Sequence, residues 1–197
     1  VRLKGLHDGY EGWADEKQFK PITKEPSSYQ MVFDLAGHVL GTHRSIPVVL
    51  GSRLPQFDGM HFPFSKERFQ YTGKVLEPGT HQVKHLKRIL SRYMNAPYLW
   101  GGRSPFGIDC SGLVQMVFSF LGFSLPRDAS QQINHGETIH FVHEAQLGDL
   151  AFFINAEEHI HHVGIVAEEG QIVHASGWVR TDTLDHQGIY RADKRTY

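Results

Sequence analysis

The chain has 197 residues and a mass of 22.4 kDa, a length that allows one large domain or two small ones. Apolar residues make up 40% and charged residues 21%, which excludes a disordered or fibrous protein. A formal net charge of -1 without long basic clusters argues against nucleic acid as a partner. No apolar run approaches the roughly 20 residues that a membrane span needs, so no span is expected.

The first part of the chain consists of short apolar pieces separated by turn residues. These pieces are YEGWADEKQF, YQMVFDLAGHVL, SIPVVLGSRLP and RFQYTGKVL. Short apolar runs punctuated in this way predict the strands of a small barrel or sandwich. At LEPGTHQ, residues 76 to 82, Pro78 and Gly79 interrupt the pattern, and we place a domain boundary there.

The segment THQVKHLKRILSRYM after this boundary predicts a surface helix with one buried stripe. Thr80 is available as its N-cap, and Pro97 prevents the helix from continuing. The apolar positions at helical spacing are Val83, Leu86, Leu90 and Tyr93 or Met94.

A second helix is predicted for SGLVQMVFSFLGF, which is apolar around most of its circumference and is therefore enclosed by the fold. Strands are predicted at DLAFFI (149 to 154), HVGIVAEE (162 to 169) and QIVHAS (171 to 176). The last two form a hairpin that turns at Gly170. Helices followed by antiparallel strands predict an α+β domain.

Cys110 is the only cysteine and stands at the start of the second predicted helix, within GIDCSGLV. A single cysteine cannot form an internal disulfide, and the amide groups of a helix start favour a thiolate. Cys110 is therefore a candidate nucleophile, the alternative being a small buried hydrophobe.

A thiolate nucleophile needs a general base and a third group that orients the base. His162 and His174 lie on the two strands of the predicted hairpin and supply candidates for both roles. Because the chain has 14 histidines, an accidental pairing on adjacent strands is the competing explanation.

The motifs GIDCSGLV, LPRDASQQ (125 to 132), LGDLAFF (147 to 153), HVGIV and IVHAS resemble the NlpC/p60 family of bacterial cell-wall cysteine peptidases. The resemblance covers about the last 120 residues, in the family's order and spacing. It implies a papain-like α+β fold in which Cys110 is the nucleophile, His162 the general base and His174 the orienting residue. It implies no metal and no other cofactor.

The same resemblance implies further residues around the site. Tyr98 in NAPYLWGGRSPFG corresponds to a tyrosine of the active-site wall, and its alternative role is a core aromatic. Ser111, next to the nucleophile, is a candidate substrate-binding residue, and Ser130 is expected to face the pocket. By their chemistry, Arg127 and Asp128 are interpreted as an adjacent ion pair on a loop.

Upstream, DGYEGWADEKQF resembles the closing hairpin of a bacterial SH3-type domain, with Gly12 and Trp13 at the turn and strand. The resemblance divides the chain into the end of an SH3-type domain (1–24), truncated at Val1, a second divergent copy (25–77) and the peptidase domain (78–197). This layout resembles enzymes that cleave γ-D-glutamyl-L-diamino acid bonds in peptidoglycan peptides, the expected partners of the chain. In such enzymes the SH3-type domain restricts substrates to peptides with a free N-terminal L-Ala.

Two residues are candidates for binding the substrate's N-terminus. By the resemblance, Asp109 binds the terminal ammonium and Tyr10 reaches over from the SH3-type domain. A partly enclosed carboxylate forms a charge-assisted bond with an ammonium group. The alternatives are a helix N-cap for Asp109 and an exposed hairpin aromatic for Tyr10.

Three other functions compete with this interpretation. A metal hydrolase would use EEHIHHVG, but strand alternation sends His161 and His162 to opposite faces. A non-catalytic wall-binding module would not need the retained nucleophile and base, whereas acyl or amide transfer would use the same thiol.

The start VRLKGLHDGY has no signal-peptide pattern and no initiating Met, so a signal was removed or never included. The family's substrates favour the cell envelope, with cytoplasmic recycling of fragments as the second expectation.

Overall fold

The computed structural model describes residues 1–19, 26–80, 85–168 and 170–197. An antiparallel hairpin opens the chain, with strand β1 (Arg2–Lys4) paired to β2 (Glu11–Trp13). Its connection is closed by a hydrogen bond from the Gly5 N–H to the Tyr10 carbonyl (2.8 Å). Gly12 lies within β2, opposite Leu3, and not in the turn of the hairpin. A short 3₁₀ helix at Glu16–Gln18 follows.

Seven short strands lie between residues 29 and 76: β3 (Tyr29–Val32), β4 (Ala36–Leu40), β5 (Ser45–Val49), β6 (Arg53–Pro55), β7 (His61–Phe64), β8 (Glu67–Gln70) and β9 (Val75–Leu76). They form two antiparallel sheets with the orders β6-β3-β9 and β5-β4-β8-β7. A small core of their own stabilises them: Val32, Val39, Leu54, Phe62, Phe69 and Tyr71. The expected small all-β region is confirmed. The proposed divisions of the chain stay predictions, and the first falls at residues 20–25, outside the described ranges.

Helix α1 (Leu86–Tyr93) buries one stripe, as expected, but it starts later than the sequence predicts. Its N-cap position is His85, so the prediction that Thr80 caps it is wrong. The Thr80 hydroxyl donates instead to the Glu77 carbonyl (2.7 Å), within the turn that precedes the helix. Val83 lies outside the described residues. The helix ends before Pro97.

Helix α2 (Cys110–Phe120) is buried over most of its length, which confirms the expected enclosed helix. A small hairpin of β10 (Arg103–Ser104) and β11 (Gly107–Ile108) precedes it. A one-turn helix, α3 (Ala129–Gln132), follows, and then a 3₁₀ helix at Val142–Glu144.

The C-terminal region is a five-stranded antiparallel meander of β12 (Leu150–Ile154), β13 (Ile160–Glu168), β14 (Gln171–Ser176), β15 (Trp178–Asp185) and β16 (Gly188–Tyr190). The predicted hairpin is confirmed, since β13 and β14 pair with Glu168 opposite Gln171. Gly170 between them has a φ of +68°, a conformation that glycine adopts without strain. Strands β15 and β16 were not predicted.

One apolar core joins α1, α2 and one face of this meander. Met31, Phe33 and Leu50 of the all-β region belong to the same core. The Phe33 ring packs edge-on against Phe120 at the end of α2, with ring centroids 5.8 Å apart. The all-β region therefore supports the helix that begins at the cysteine. Within the described residues, no helix combines the length and apolarity needed to cross a bilayer.

Candidate active site

Cys110 is the first residue of α2, at the wall of a cavity of about 980 Å³. Its side chain is mostly buried, with 7% of the residue exposed. The sulfur contacts the backbone N–H groups of Val163, Ser111 and Cys110 itself, which lower the thiol pKa. Burial acts more strongly in the opposite direction, so the pKa of Cys110 is raised overall. The amides of the helix start therefore do not by themselves bring the pKa of Cys110 below its ordinary value.

His162 on β13 and His174 on β14 form a hydrogen-bonded pair. His162 Nε2 lies 2.8 Å from His174 Nδ1, and the two rings meet edge to face at 81°. The strand register explains the contact, because Gly164 pairs with His174 and His162 stands two residues before Gly164 on the same face. A Cβ on Gly164 would lie 2.5 Å from Ile172 Cδ1 and 3.0 Å from the His174 Cβ, so a larger residue here would displace side chains of β14. Val163, which contacts the Cys110 sulfur, directly follows His162.

Burial keeps both histidines neutral. It is the main reason that the pKa of His162 is lowered to about 4, and the charges of His174 and His161 lower it further. Burial also lowers the pKa of His174, while its bond to Asp182 opposes that change. A neutral imidazole is the form that can accept a proton from a thiol.

Asp182 and Arg180 on β15 extend this pair, and sequence reasoning missed both. His174 Nε2 lies 3.0 Å from Asp182 Oδ2, and Arg180 Nη2 donates to Asp182 Oδ1 at 2.7 Å. Asp193 accepts from the same Arg180 nitrogen at 2.9 Å. In the segment WVRTDTLD the two charged residues alternate into the buried face that also holds Leu184. Charges at inward positions of a strand were the available signal.

Asp109 is the N-cap of α2, accepting the Gly112 N–H at 2.7 Å through Oδ1. Its other oxygen accepts the Gly101 N–H, also at 2.7 Å. Arg127 donates to both oxygens, at 3.0 and 2.5 Å, and the side chains of this ion pair are only 11% and 6% exposed. The Ser111 hydroxyl also donates to Oδ1, at 3.4 Å, so five donor groups surround the carboxylate. That Asp109 binds an ammonium group stays a prediction, while its role as a cap is observed.

Arg127 corrects one interpretation made from the sequence. Its hydrogen-bonded ion pair is with Asp109, across 18 residues, rather than with its neighbour Asp128. Arg127 also donates to the Ser111 hydroxyl at 2.9 Å. Asp128 occupies the N-cap position of α3 and lines the cavity. The Arg127 side chain is long enough to reach the buried Asp109 carboxylate, and the fold encloses the two charges together.

The structure brings the other predicted residues to the same region. Ser111, Ser130 and Tyr10 line the cavity beside Cys110. Tyr98 is half-buried, and burial together with the charges of Cys110 and Asp109 raises the pKa of its hydroxyl. Tyr10 enters from the connection between β1 and β2, and 53% of it is exposed. Their roles in binding substrate stay predictions.

The cavity has further wall residues that sequence reasoning missed. His7, Asp8, Trp100 and Arg103 line it. Asp8 is buried, with its side chain 4% exposed, and its Oδ2 lies 3.1 Å from His7 Nε2 and 3.8 Å from Arg103 Nη1. Gln115 of α2 donates to the same oxygen at 3.3 Å. These contacts hold the N-terminal hairpin connection against the helix that carries the cysteine. The proximity of Asp8 to Tyr10 in HDGY was the available signal.

The histidine-rich segment HIHHV divides between two environments. His159 and His161 line the cavity, whereas the ring of His162 contacts His174. Within the described ranges, no three His, Cys, Asp or Glu side chains are grouped so that they could hold a metal ion.

Comparison with known proteins identifies the family. The NlpC/P60 family model matches residues 95–195, just over half of the chain. The γ-D-glutamyl-L-lysine dipeptidyl-peptidase of Bacillus subtilis (strain 168) is 41% identical over 85 residues, which is 42% of this chain and 28% of that protein. The protein of the same name from Bacillus cereus (strain ATCC 10987) is 27% identical over 192 residues, 85% of this chain and 57% of that protein.

A crystal structure of an NlpC/P60 family protein from Bacillus cereus ATCC 10987 has the same fold, with a TM-score of 0.76 and 26% identity. The match covers 91% of this chain, including its all-β part, and 67% of that chain. The chain spans 28% and 57% of the lengths of the two dipeptidyl-peptidases. The family match, the α+β fold with helices packed on an antiparallel sheet, and the all-β region before it lead to one conclusion: the chain belongs to the NlpC/P60 family.

Proposed function

We propose that the protein is a cysteine peptidase that hydrolyses the γ-D-glutamyl-L-diamino acid bond of peptidoglycan peptides with a free N-terminal L-Ala. The observation that carries the proposal is the position of Cys110, which opens a buried helix at the cavity wall and contacts the strand residue that follows His162. The names of the two dipeptidyl-peptidase relatives support the bond type.

The proposed reaction begins with a neutral thiol and a neutral imidazole. His162 removes the Cys110 proton as the sulfur attacks the γ-glutamyl carbonyl carbon, and the carbonyl oxygen becomes an oxyanion near the N–H groups at the start of α2. When the tetrahedral intermediate collapses, the C–N bond breaks and the protonated His162 gives its proton to the leaving amine. His162 then deprotonates a water molecule that hydrolyses the thioester and restores the thiol.

The shape and charge of the cavity support a short peptide as the substrate. A volume of about 980 Å³ is at the upper end of the range for small-molecule sites. Tyr10, His7 and Asp8 of the N-terminal hairpin connection also line the cavity, and in this proposal they limit how far a bound peptide extends. In this proposal the terminal ammonium binds near Tyr10 and Asp109, sharing the carboxylate with Arg127.

The proposed substrates set the expected place of action. Peptidoglycan peptides occur in the cell envelope and, as imported fragments, in the cytoplasm. We propose the envelope as the site of action, with fragment recycling as the alternative.

Mass spectrometry of products from L-Ala-γ-D-Glu-diaminopimelate tests the proposal, with Cys110→Ala as the control. We expect L-Ala-D-Glu and free diaminopimelate from the wild type and intact peptide from the variant. A peptide that is bound but left intact would indicate a binding module. A product joined to an added nucleophilic amine, formed in preference to hydrolysis, would indicate a transferase.

A further inference from the structure

A buried acid lies directly behind the second histidine. The Asp182 side chain is 5% exposed, and its Oδ2 is 3.0 Å from His174 Nε2. His174 is itself 2.8 Å from His162 through its other ring nitrogen. Hydrogen-bond contacts therefore run from Asp182 through His174 to His162, the residue proposed as the general base.

The acid is held in place by Arg180, which pairs with His174 across β14 and β15. Arg180 Nη2 donates to Asp182 Oδ1 at 2.7 Å, and Arg180 Nε lies 2.7 Å from Oδ2 without the alignment of a hydrogen bond. The guanidinium also contacts Asp193 at 2.9 Å and lies 4.9 Å from the Trp178 ring centre. A carboxylate next to a permanent cation stays ionised and can only accept hydrogen bonds.

This constraint orders the protons along the whole chain of contacts. Because Asp182 only accepts, the proton of neutral His174 is on Nε2, which leaves Nδ1 as an acceptor. Nδ1 then accepts the Nε2 proton of His162. Neutral His162 consequently carries no proton on Nδ1, which is the nitrogen left free to take the proton of Cys110.

We propose that Asp182 is a positioning residue that fixes the tautomers of both histidines, and that Arg180 keeps its carboxylate in the orientation this requires. The proton order is a property of the folded protein. Its effect on hydrolysis rests on the proposed function.

The isosteric change Asp182→Asn separates this role from simple packing. An asparagine presents one oxygen and one NH₂ group, and both positions of the carboxylate face donors. Both positions also lie near Arg180, but Nη2 makes an aligned hydrogen bond at the Oδ1 position and Nε makes none at the Oδ2 position. Arg180 cannot lose its proton, whereas His174 can exchange tautomers. The amide oxygen should therefore keep the bond from Nη2, and the NH₂ group should donate to His174 Nε2. His174 would then carry its proton on Nδ1 and donate it to His162 Nε2. His162 would therefore carry its own proton on Nδ1, the nitrogen proposed as the base.

The expected order of activity follows from this reversal. Asp182→Asn should lower kcat by about 100-fold, less than the roughly 10⁴-fold loss for an acid bonded directly to a catalytic histidine, because Asp182 acts through His174. Asp182→Ala should cost about 10-fold, because a small side chain forces no tautomer. The double variant Asp182→Asn with Arg180→Met should recover most of the activity that Asp182→Asn loses, since the amide oxygen is then free to face His174. The control is Asp185→Asn, the same change at a half-buried acid that ends the same strand and accepts a hydrogen bond from the Tyr197 hydroxyl, which should leave kcat unchanged.

Two readouts do not depend on the proposed substrate. Long-range ¹H–¹⁵N spectra of the imidazoles should show the His174 proton on Nε2 in the wild type and on Nδ1 in Asp182→Asn. Alkylation of Cys110 by iodoacetamide should slow in the same order as kcat. If the wild type shows no hydrolysis but the spectra show this tautomer switch, the proposed function fails and the positioning role stands.

The opposite results overturn the inference. A wild-type His174 with its proton on Nδ1 would contradict the proton order, and this measurement needs no variant to fold. An Asp182→Asn protein that is as active as Asp185→Asn, or more active than Asp182→Ala, would show that Asp182 acts only through packing. A double variant no more active than Asp182→Asn would refute the part assigned to Arg180.

Discussion

Replacing Arg127 with methionine removes one partner of the buried ion pair with Asp109 at the start of α2. Methionine keeps an unbranched side chain of similar length, so the change acts mainly on charge and hydrogen bonding. Three donated bonds are lost, two to Asp109 and one to the Ser111 hydroxyl. The Asp109 carboxylate is left buried, with the Gly101 and Gly112 N–H groups and the more distant Ser111 hydroxyl, at 3.4 Å, as its remaining donors.

Breaking a buried pair by removing one partner costs about 3–5 kcal/mol. Because two backbone donors still stabilise the carboxylate, we expect the lower end, about 3 kcal/mol. At about 2–4 °C per kcal/mol for a chain of this size, Tm should fall by roughly 6–12 °C. The stability of Arg127→Lys should lie between those of the wild type and Arg127→Met, because an ammonium group keeps the charge but cannot bridge both carboxylate oxygens.

The assay is urea unfolding followed by circular dichroism, together with a thermal scan. Arg68→Met is the matched control, since it removes the same side chain from an ion pair with Asp58 whose side chains are 66% and 48% exposed. That variant should unfold like the wild type. If the two variants lose equal stability, the argument that burial makes the Arg127 pair important is refuted.

The remaining predictions concern the histidines and the substrate's N-terminus. His162→Ala should remove nearly all turnover, while His174→Gln should lose less than His174→Ala because glutamine can still bond to the base; equal small losses in steady-state assays would mean a structural pair. Because the pKa of His162 is lowered from 6.5 to about 4, the unfolded chain takes up its proton first as the pH falls. The free energy of unfolding should therefore drop between pH 6.5 and 4 by up to about 3 kcal/mol more in the wild type than in His162→Gln, and parallel urea curves would contradict this. Acetylating the substrate's L-Ala should lower kcat/KM by roughly 10- to 150-fold, and Tyr10→Ala should narrow that gap without slowing alkylation of Cys110. Equal cleavage of free and acetylated peptides would show that the N-terminal region does not select the free amine.

The sequence alone determined which segments form the buried helix and the hairpin behind it. An apolar run with an acid and a cysteine at its start predicted α2, and two runs separated at Gly170 predicted β13 and β14. These are local signals, because hydrophobic periodicity and turn residues act within a few positions of each other. The placement of His162 and His174 on neighbouring strands follows from that hairpin.

Only the tertiary structure decided the partners of the charged residues. Arg127 pairs with Asp109 rather than with the adjacent acid, and Asp8 packs against a helix about 100 residues later in the chain. Ion pairs and buried hydrogen bonds depend on which side chains are enclosed together, and sequence spacing does not reveal this for distant segments. The direction of the pKa shift at Cys110 depends on the fold in the same way, because burial by surrounding elements outweighs the local amides of the helix start.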